Sequence, residues 1–81
     1  MMSNTTVHIY GGVGCSACVN AEKLAASKGF NILKNDIGDI SPQEWIDRIE
    51  IVPRSIPQIF VNGEYIGGLD SFRGWLHEHD L

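Results

Sequence analysis

The sequence predicts an α/β fold with the element order β-α-β-α-β-β-α, a four-stranded mixed sheet flanked by helices. Three observations carry this. A β-branched and aromatic run at residues 5–10 leads through a glycine-rich loop into a stretch whose small and apolar residues recur at helical spacing. A second extended run and a second helical stretch follow. Asn62-Gly63 then joins two short apolar runs as the strongest hairpin signal in the chain, ahead of a closing helical pattern. Two βα units, a hairpin and a last helix leave a small sheet with helices on its faces.

Each element has its own local reason. Residues 5–10 form the first strand, and Gly11-Gly12-Val13-Gly14 ends it. From residue 16 to 28, Ala17, Cys18, Ala21, Leu24 and Ala25 mark the inner face of a helix, with Glu22, Lys23 and Lys28 on the wet side and Gly29 as its stop. Residues 30–37 make a second strand of imperfect alternation, and residues 38–41 a connection. Ser41 reads as an N-cap, Pro42 as the first helical residue and Glu44 as the reciprocal half of a capping box, while Ile40 is placed to pack on Trp45. That helix runs through Trp45, Ile46 and Ile49, with Asp47 and Arg48 outside, and Pro53 prevents its continuation. Residues 59–61 and 64–66 are the hairpin strands. Asp70 or Ser71 starts a last helix with Phe72, Trp75 and Leu76 on one side, ending in a polar tail.

The whole-chain numbers narrow the classes of function. Eighty-one residues suit a single domain, 1–81, and 43% hydrophobic residues suit a folded chain. A net charge of -4 with only 6 Lys plus Arg argues against DNA or RNA as partner. No apolar run is long enough to span a membrane, and the first residues lack a basic segment followed by an apolar one, so a cytoplasmic protein is expected. The glycines at 11–14 have neither a following Gly-Lys-Ser/Thr nor GxGxxG spacing, which argues against a nucleotide cradle.

The chemistry concentrates in Cys15-Ser16-Ala17-Cys18, which holds both cysteines of the chain. A single pair in a reducing compartment points to catalysis or metal binding rather than a structural staple, and so short a loop gains little from closure. Two thiols at this spacing can form a reversible disulfide. A helix starting at or just after Cys15 directs peptide N–H groups and its dipole at the first sulfur, which favours the thiolate. Cys18, one turn on, can resolve a mixed disulfide on Cys15, and its spacing also suits the inner face of the helix. His77 and His79, two apart on a helix, do not share a face and make a poor metal pair.

Four features taken together, Cys15-Ser16-Ala17-Cys18, Ala21-Glu22-Lys23, Ser55-Ile56-Pro57-Gln58-Ile59-Phe60 and Ile66-Gly67-Gly68-Leu69-Asp70, resemble the glutaredoxins, small proteins of the thioredoxin-like fold. The resemblance covers residues 6–79, and the short length is similar to the bacterial and bacteriophage kind. It implies that Cys15 is the exposed nucleophile and Cys18 the buried resolving thiol. It further implies a cis bond before Pro57, with the backbone at Ile56 open to a substrate as an added strand. Ser55, Ile56 and Pro57 are then expected along the peptide part of glutathione, and Gly68, Leu69, Asp70 and Ser71 around its γ-glutamyl end, with Asp70 also capping the last helix. Arg54 is the available cation for a glutathione carboxylate, and Tyr10 and Ser16 are further candidates at the groove. Two departures stand out. Ser16-Ala17 replaces the usual Pro-Tyr, removing an aromatic wall, and no Lys or Arg precedes Cys15 closely.

The resemblance implies a glutathione-dependent thiol-disulfide oxidoreductase that reduces protein disulfides and glutathione mixed disulfides. Glutathione is the reducing cosubstrate, with no permanent cofactor. Expected partners are glutathione and disulfide-bearing or glutathionylated proteins, ribonucleotide reductase among them, and the protein is expected to be a monomer. Two other readings stay open: recharging by thioredoxin reductase, and a dimer holding a [2Fe-2S] cluster with two glutathiones.

Overall fold

A computed structural model describes residues 4–81; Met1, Met2 and Ser3, part of the stretch read above for a leader, lie outside the described residues. The elements run β1 (Thr6–Gly11), α1 (Ser16–Ser27), β2 (Asn31–Asp36), α2 (Pro42–Ile49), β3 (Gln58–Val61), β4 (Glu64–Gly67) and α3 (Leu69–Glu78), with a 3-10 turn at Ile37–Asp39. This is the expected β-α-β-α-β-β-α order. The strands form one sheet in the order β2-β1-β3-β4. β1 pairs parallel with β2 and antiparallel with β3, and β3 pairs antiparallel with β4, so the sheet is mixed.

Side-chain alternation on β1 and β3 builds two cores. Val7 and Ile9 of β1 and Ile59 and Val61 of β3 face α1 and α3, where they meet Ala21, Ala25, Phe72 and Leu76. Tyr10, next after Ile9, and Phe60, between Ile59 and Val61, turn to the other face and pack with Ile40 and Trp45 of the α2 region. Within this cluster Tyr10 stands edge-on to Trp45 and Phe60, with centroids 5.1 Å and 5.7 Å away. β2 is an edge strand with most of its residues exposed, which accounts for the poor alternation of its sequence.

Local signals mostly act where the sequence places them. Gly29 follows the α1 C-cap Lys28 and returns its N–H to the Ala26 carbonyl. Ser41 Oγ accepts the Glu44 N–H, Pro42 opens α2, and Ile40 and Trp45 share a core cluster. The capping box is only half made, because the Glu44 carboxylate pairs with Arg48 at 2.7 Å. A reciprocal capping box forms instead at Asp36 and Asp39, around a 3-10 turn at Ile37–Asp39 where the sequence reading carries the second strand to residue 37 before a connection. Asn62 and Gly63, both at positive φ, make the hairpin turn as expected. The last helix begins earlier than predicted: Gly68 is its N-cap, without a side-chain cap, and Asp70 lies inside the first turn. Asp70 therefore does not cap α3.

Candidate active site

Cys15 sits where the loop after β1 turns into α1. It is the N-cap residue, with extended backbone (φ −94°, ψ 102°), and its Sγ accepts the Cys18 N–H at 3.0 Å. The first sulfur thus occupies the place a serine or aspartate oxygen takes in an ordinary cap, at the positive end of a twelve-residue helix. A thiolate there is favoured by the same N–H and the same dipole. Cys15 and Cys18 are joined in a disulfide with their Cα atoms 5.3 Å apart. Both are half-buried, so Cys18 is more open than the buried thiol expected of it.

Gly11 explains how Cys18 fits against the sheet. A Cβ on Gly11 would lie 2.8 Å from Cys18 Sγ and 3.2 Å from its Cβ, so the last residue of β1 has to be glycine for α1 to approach. Gly12 is similarly close to the Ile56 side chain, with 3.0 Å from a built Cβ to Cδ1. The glycines that look in sequence like a flexible loop are in part contact surfaces for the two halves of the site.

The segment carrying Pro57 reaches the site from the other side. The Ile56–Pro57 peptide is cis, as expected. Ser55, Ile56 and Pro57 line one groove with Gly68, Leu69, Asp70 and Ser71, and Ala17 of α1 forms its near wall; the groove has a volume of about 320 Å³. Seven candidates from two distant segments are thereby brought together. With Gly68 as N-cap, the N–H groups that begin α3 open on this groove without intrahelical partners. The Asp70 carboxylate is almost wholly exposed and makes a 3.4 Å contact with Arg73. Gly67 has φ +121°, a conformation suited to glycine, and a Cβ there would press on Ser71 Oγ at 2.9 Å.

Three candidates fall outside the groove. Tyr10 does not line it: this side chain is 4% exposed, buried with Trp45 and Phe60, and its hydroxyl accepts from Arg48 at 3.2 Å. The strand alternation that sends Ile9 toward α1 sends Tyr10 to the opposite face. Ser16 is exposed at the start of α1, and Arg54 is exposed in the segment before Ser55; neither is a groove residue.

Gln58 was not singled out by the sequence. It is buried at the start of β3, donates through Nε2 to the Ser55 carbonyl at 2.9 Å, and accepts the Tyr65 hydroxyl at 2.6 Å. A buried amide with both ends satisfied fixes the Ser55–Pro57 turn to the sheet. A polar residue between proline and an apolar strand is the signal that could have found it.

No family model matches the chain. Curated relatives do. The chain is 31% identical to glutaredoxin 1 of Escherichia coli K12 over 83 residues, covering 88% of this chain and 92% of that protein. It is 32% identical to glutaredoxin 1 of Salmonella typhimurium over 78 residues, covering 88% and 90%. The solved structure of reduced Escherichia coli glutaredoxin superposes with a TM-score of 0.77 at 30% identity, over 94% of this chain and 99% of that one. With the disulfide at a helix start and the proline segment beside it, these similarities place the chain in the glutaredoxin family, as a glutathione-dependent thiol-disulfide oxidoreductase whose redox-active disulfide is Cys15–Cys18.

Proposed function

We propose that Cys15 is the attacking thiol and Cys18 the resolving one, acting on disulfide-bearing and glutathionylated proteins in the cytoplasm, with the chain working as a monomeric single domain. The observation that carries this reading is the cap position of Cys15, whose sulfur alone of the two receives an α1 N–H. The Cys15 thiolate attacks one sulfur of the substrate disulfide, forming a mixed disulfide and releasing the other sulfur as a thiolate. The Cys18 thiolate then attacks Cys15 Sγ, closing the Cys15–Cys18 disulfide and releasing the second substrate thiolate. Two glutathione thiols return both electrons, through a Cys15–glutathione mixed disulfide, and leave as glutathione disulfide. Ribonucleotide reductase is a substrate of suitable kind for so small a reductant.

The glutathione of that intermediate lies along Ser55 to Pro57, with its γ-glutamyl end at Gly68 to Ser71. Its carboxylate meets the open N–H groups at the start of α3, and its ammonium meets the Asp70 carboxylate. The groove supports this reading by its place beside Ala17 and by having a polar end at α3. Ala17 offers a short side chain as wall, so recognition rests on the backbone and on the α3 end.

Steady-state assays with varied glutathione test the placement. Asp70→Asn is expected to raise the KM for glutathione roughly threefold to tenfold while kcat with a saturating mixed disulfide changes little. Arg54→Ala, which alters a side chain outside the groove, is expected to stay within about twofold of wild type. An unchanged KM in Asp70→Asn would remove the γ-glutamyl end from this groove.

A further inference from the structure

A second cleft opens on the opposite side of the disulfide from the glutathione groove. It has a volume of about 490 Å³ and lies between the loop after β1, the first turns of α1 and the C-terminal end of β2. Both Cys15 and Cys18 line it, whereas neither lines the groove at Pro57. Val13 and Val19 give it an apolar wall; Val13 is fully exposed and Val19 is 48% exposed. The two valines leave apolar surface open beside the disulfide.

The far end of the cleft is acidic. Glu22, Asp36, Asp39 and Lys34 line it, and Lys34 is already paired with Glu22 at 3.2 Å. Asp36 accepts the Gly38 N–H at 2.7 Å, and Asp39 accepts the Asp36 N–H and the Asn35 amide, each at 3.0 Å. These donors are neutral. Neither carboxylate meets a cation among the described residues, so two negative charges face the cleft uncompensated.

We infer that this cleft docks the polypeptide of protein substrates, seating an apolar side chain on Val13 and Val19 and a neighbouring lysine or arginine against Asp36 and Asp39. The inference rests on the reading of Cys15 as the attacking thiol. A protein substrate carries chain on both sides of the cysteine under attack. One side has the Pro57 groove available, and the other falls into this cleft, which is continuous with both sulfurs. Glutathione fills only the first. The cleft therefore selects among protein disulfides without entering the glutathione step, and it favours substrates with basic and apolar residues next to the cysteine. The chemistry is the exchange already described: the substrate disulfide gains two electrons as Cys15 and Cys18 become a disulfide, and glutathione restores them.

Two synthetic peptides with the same internal disulfide, flanked by Leu-Lys-Lys in one and Leu-Glu-Glu in the other, test this with glutathione as reductant. The ratio of their kcat/KM values is taken within each variant, so a general loss of turnover cancels. Wild type is expected to favour the lysine peptide roughly threefold to tenfold at low salt, with the preference shrinking as salt rises. Asp36→Asn with Asp39→Asn, which keeps the hydrogen-bond acceptors, is expected to bring the ratio close to one. Asp47→Asn with Glu78→Gln, an equal change of charge elsewhere on the surface, is expected to keep it. A wild-type ratio of one, or equal loss in both double variants, would overturn the cleft while leaving the thiol chemistry standing. Failure of wild type to reduce either peptide would overturn the chemistry and the cleft together. Sedimentation at the assay concentration addresses a second copy as occupant: a dimer abolished by Val13→Ser would assign the cleft to self-association and overturn the proposal.

Discussion

Gly11 is where the sheet and the redox pair touch, and its hydrogen is there because Cys18 leaves no room for a methyl group. Gly11→Ala is expected to lower stability by about 1–3 kcal/mol in the disulfide form, since neither the α1 backbone nor the bonded sulfur can step aside freely. The loss is expected to be smaller in the reduced form, where Cys18 Sγ can rotate away. Urea unfolding of both redox forms checks this, and wild-type stability in the oxidised variant would contradict the close contact. Tyr10 shows the same dependence on three-dimensional neighbours. Its position just before the glycines suggests the groove, but a strand sends consecutive residues to opposite faces, and Ile9 takes the face toward α1. Cys15 and Cys18 are legible because their chemistry lies in their spacing. Tyr10 and Gln58 are not, because their roles depend on strand register and on partners far along the chain.

The element that best follows its sequence is α2. Ser41, Pro42, Ile40 and Trp45 all act as their types and order suggest. Ser41→Ala is expected to cost about 1 kcal/mol through the lost cap. Glu44→Ala is expected to change stability by less than about 0.5 kcal/mol, since its carboxylate makes an exposed ion pair with Arg48 rather than a cap. Equal effects of the two substitutions in urea midpoints would restore the full capping box. α3 behaves differently. Asp70 is a strong capping type, yet Gly68 takes the cap position: Gly67 ends β4 at φ +121° and Gly68 follows in extended backbone, so the helix starts two residues earlier. That earlier start is what leaves N–H groups open at the groove and the Asp70 carboxylate in solvent. β2 was legible as a strand and not in register, as expected of an exposed edge with one parallel neighbour.

Across the whole molecule the sheet order β2-β1-β3-β4 puts the ends of β1 and β3 side by side, and so brings the cysteine loop next to the proline segment. Segments some forty residues apart in sequence meet on either side of one disulfide. The resemblance of scattered motifs was enough to anticipate the fold and the groove at Pro57. The cleft on the other side was not legible, because it is made by the juxtaposition of Val13, Val19 and the β2 end, which share no motif. The roles proposed for the two thiols differ, with Cys15 attacking and Cys18 resolving. A peptide carrying a glutathione mixed disulfide, assayed with glutathione as reductant, separates them most directly, because that substrate needs only one enzyme thiol. Cys15→Ser is expected to fall below about one hundredth of wild-type turnover, and Cys18→Ser to keep at least about one tenth of it. Equal loss in both variants, or a surviving Cys15→Ser, would contradict the assignment of Cys15 as nucleophile.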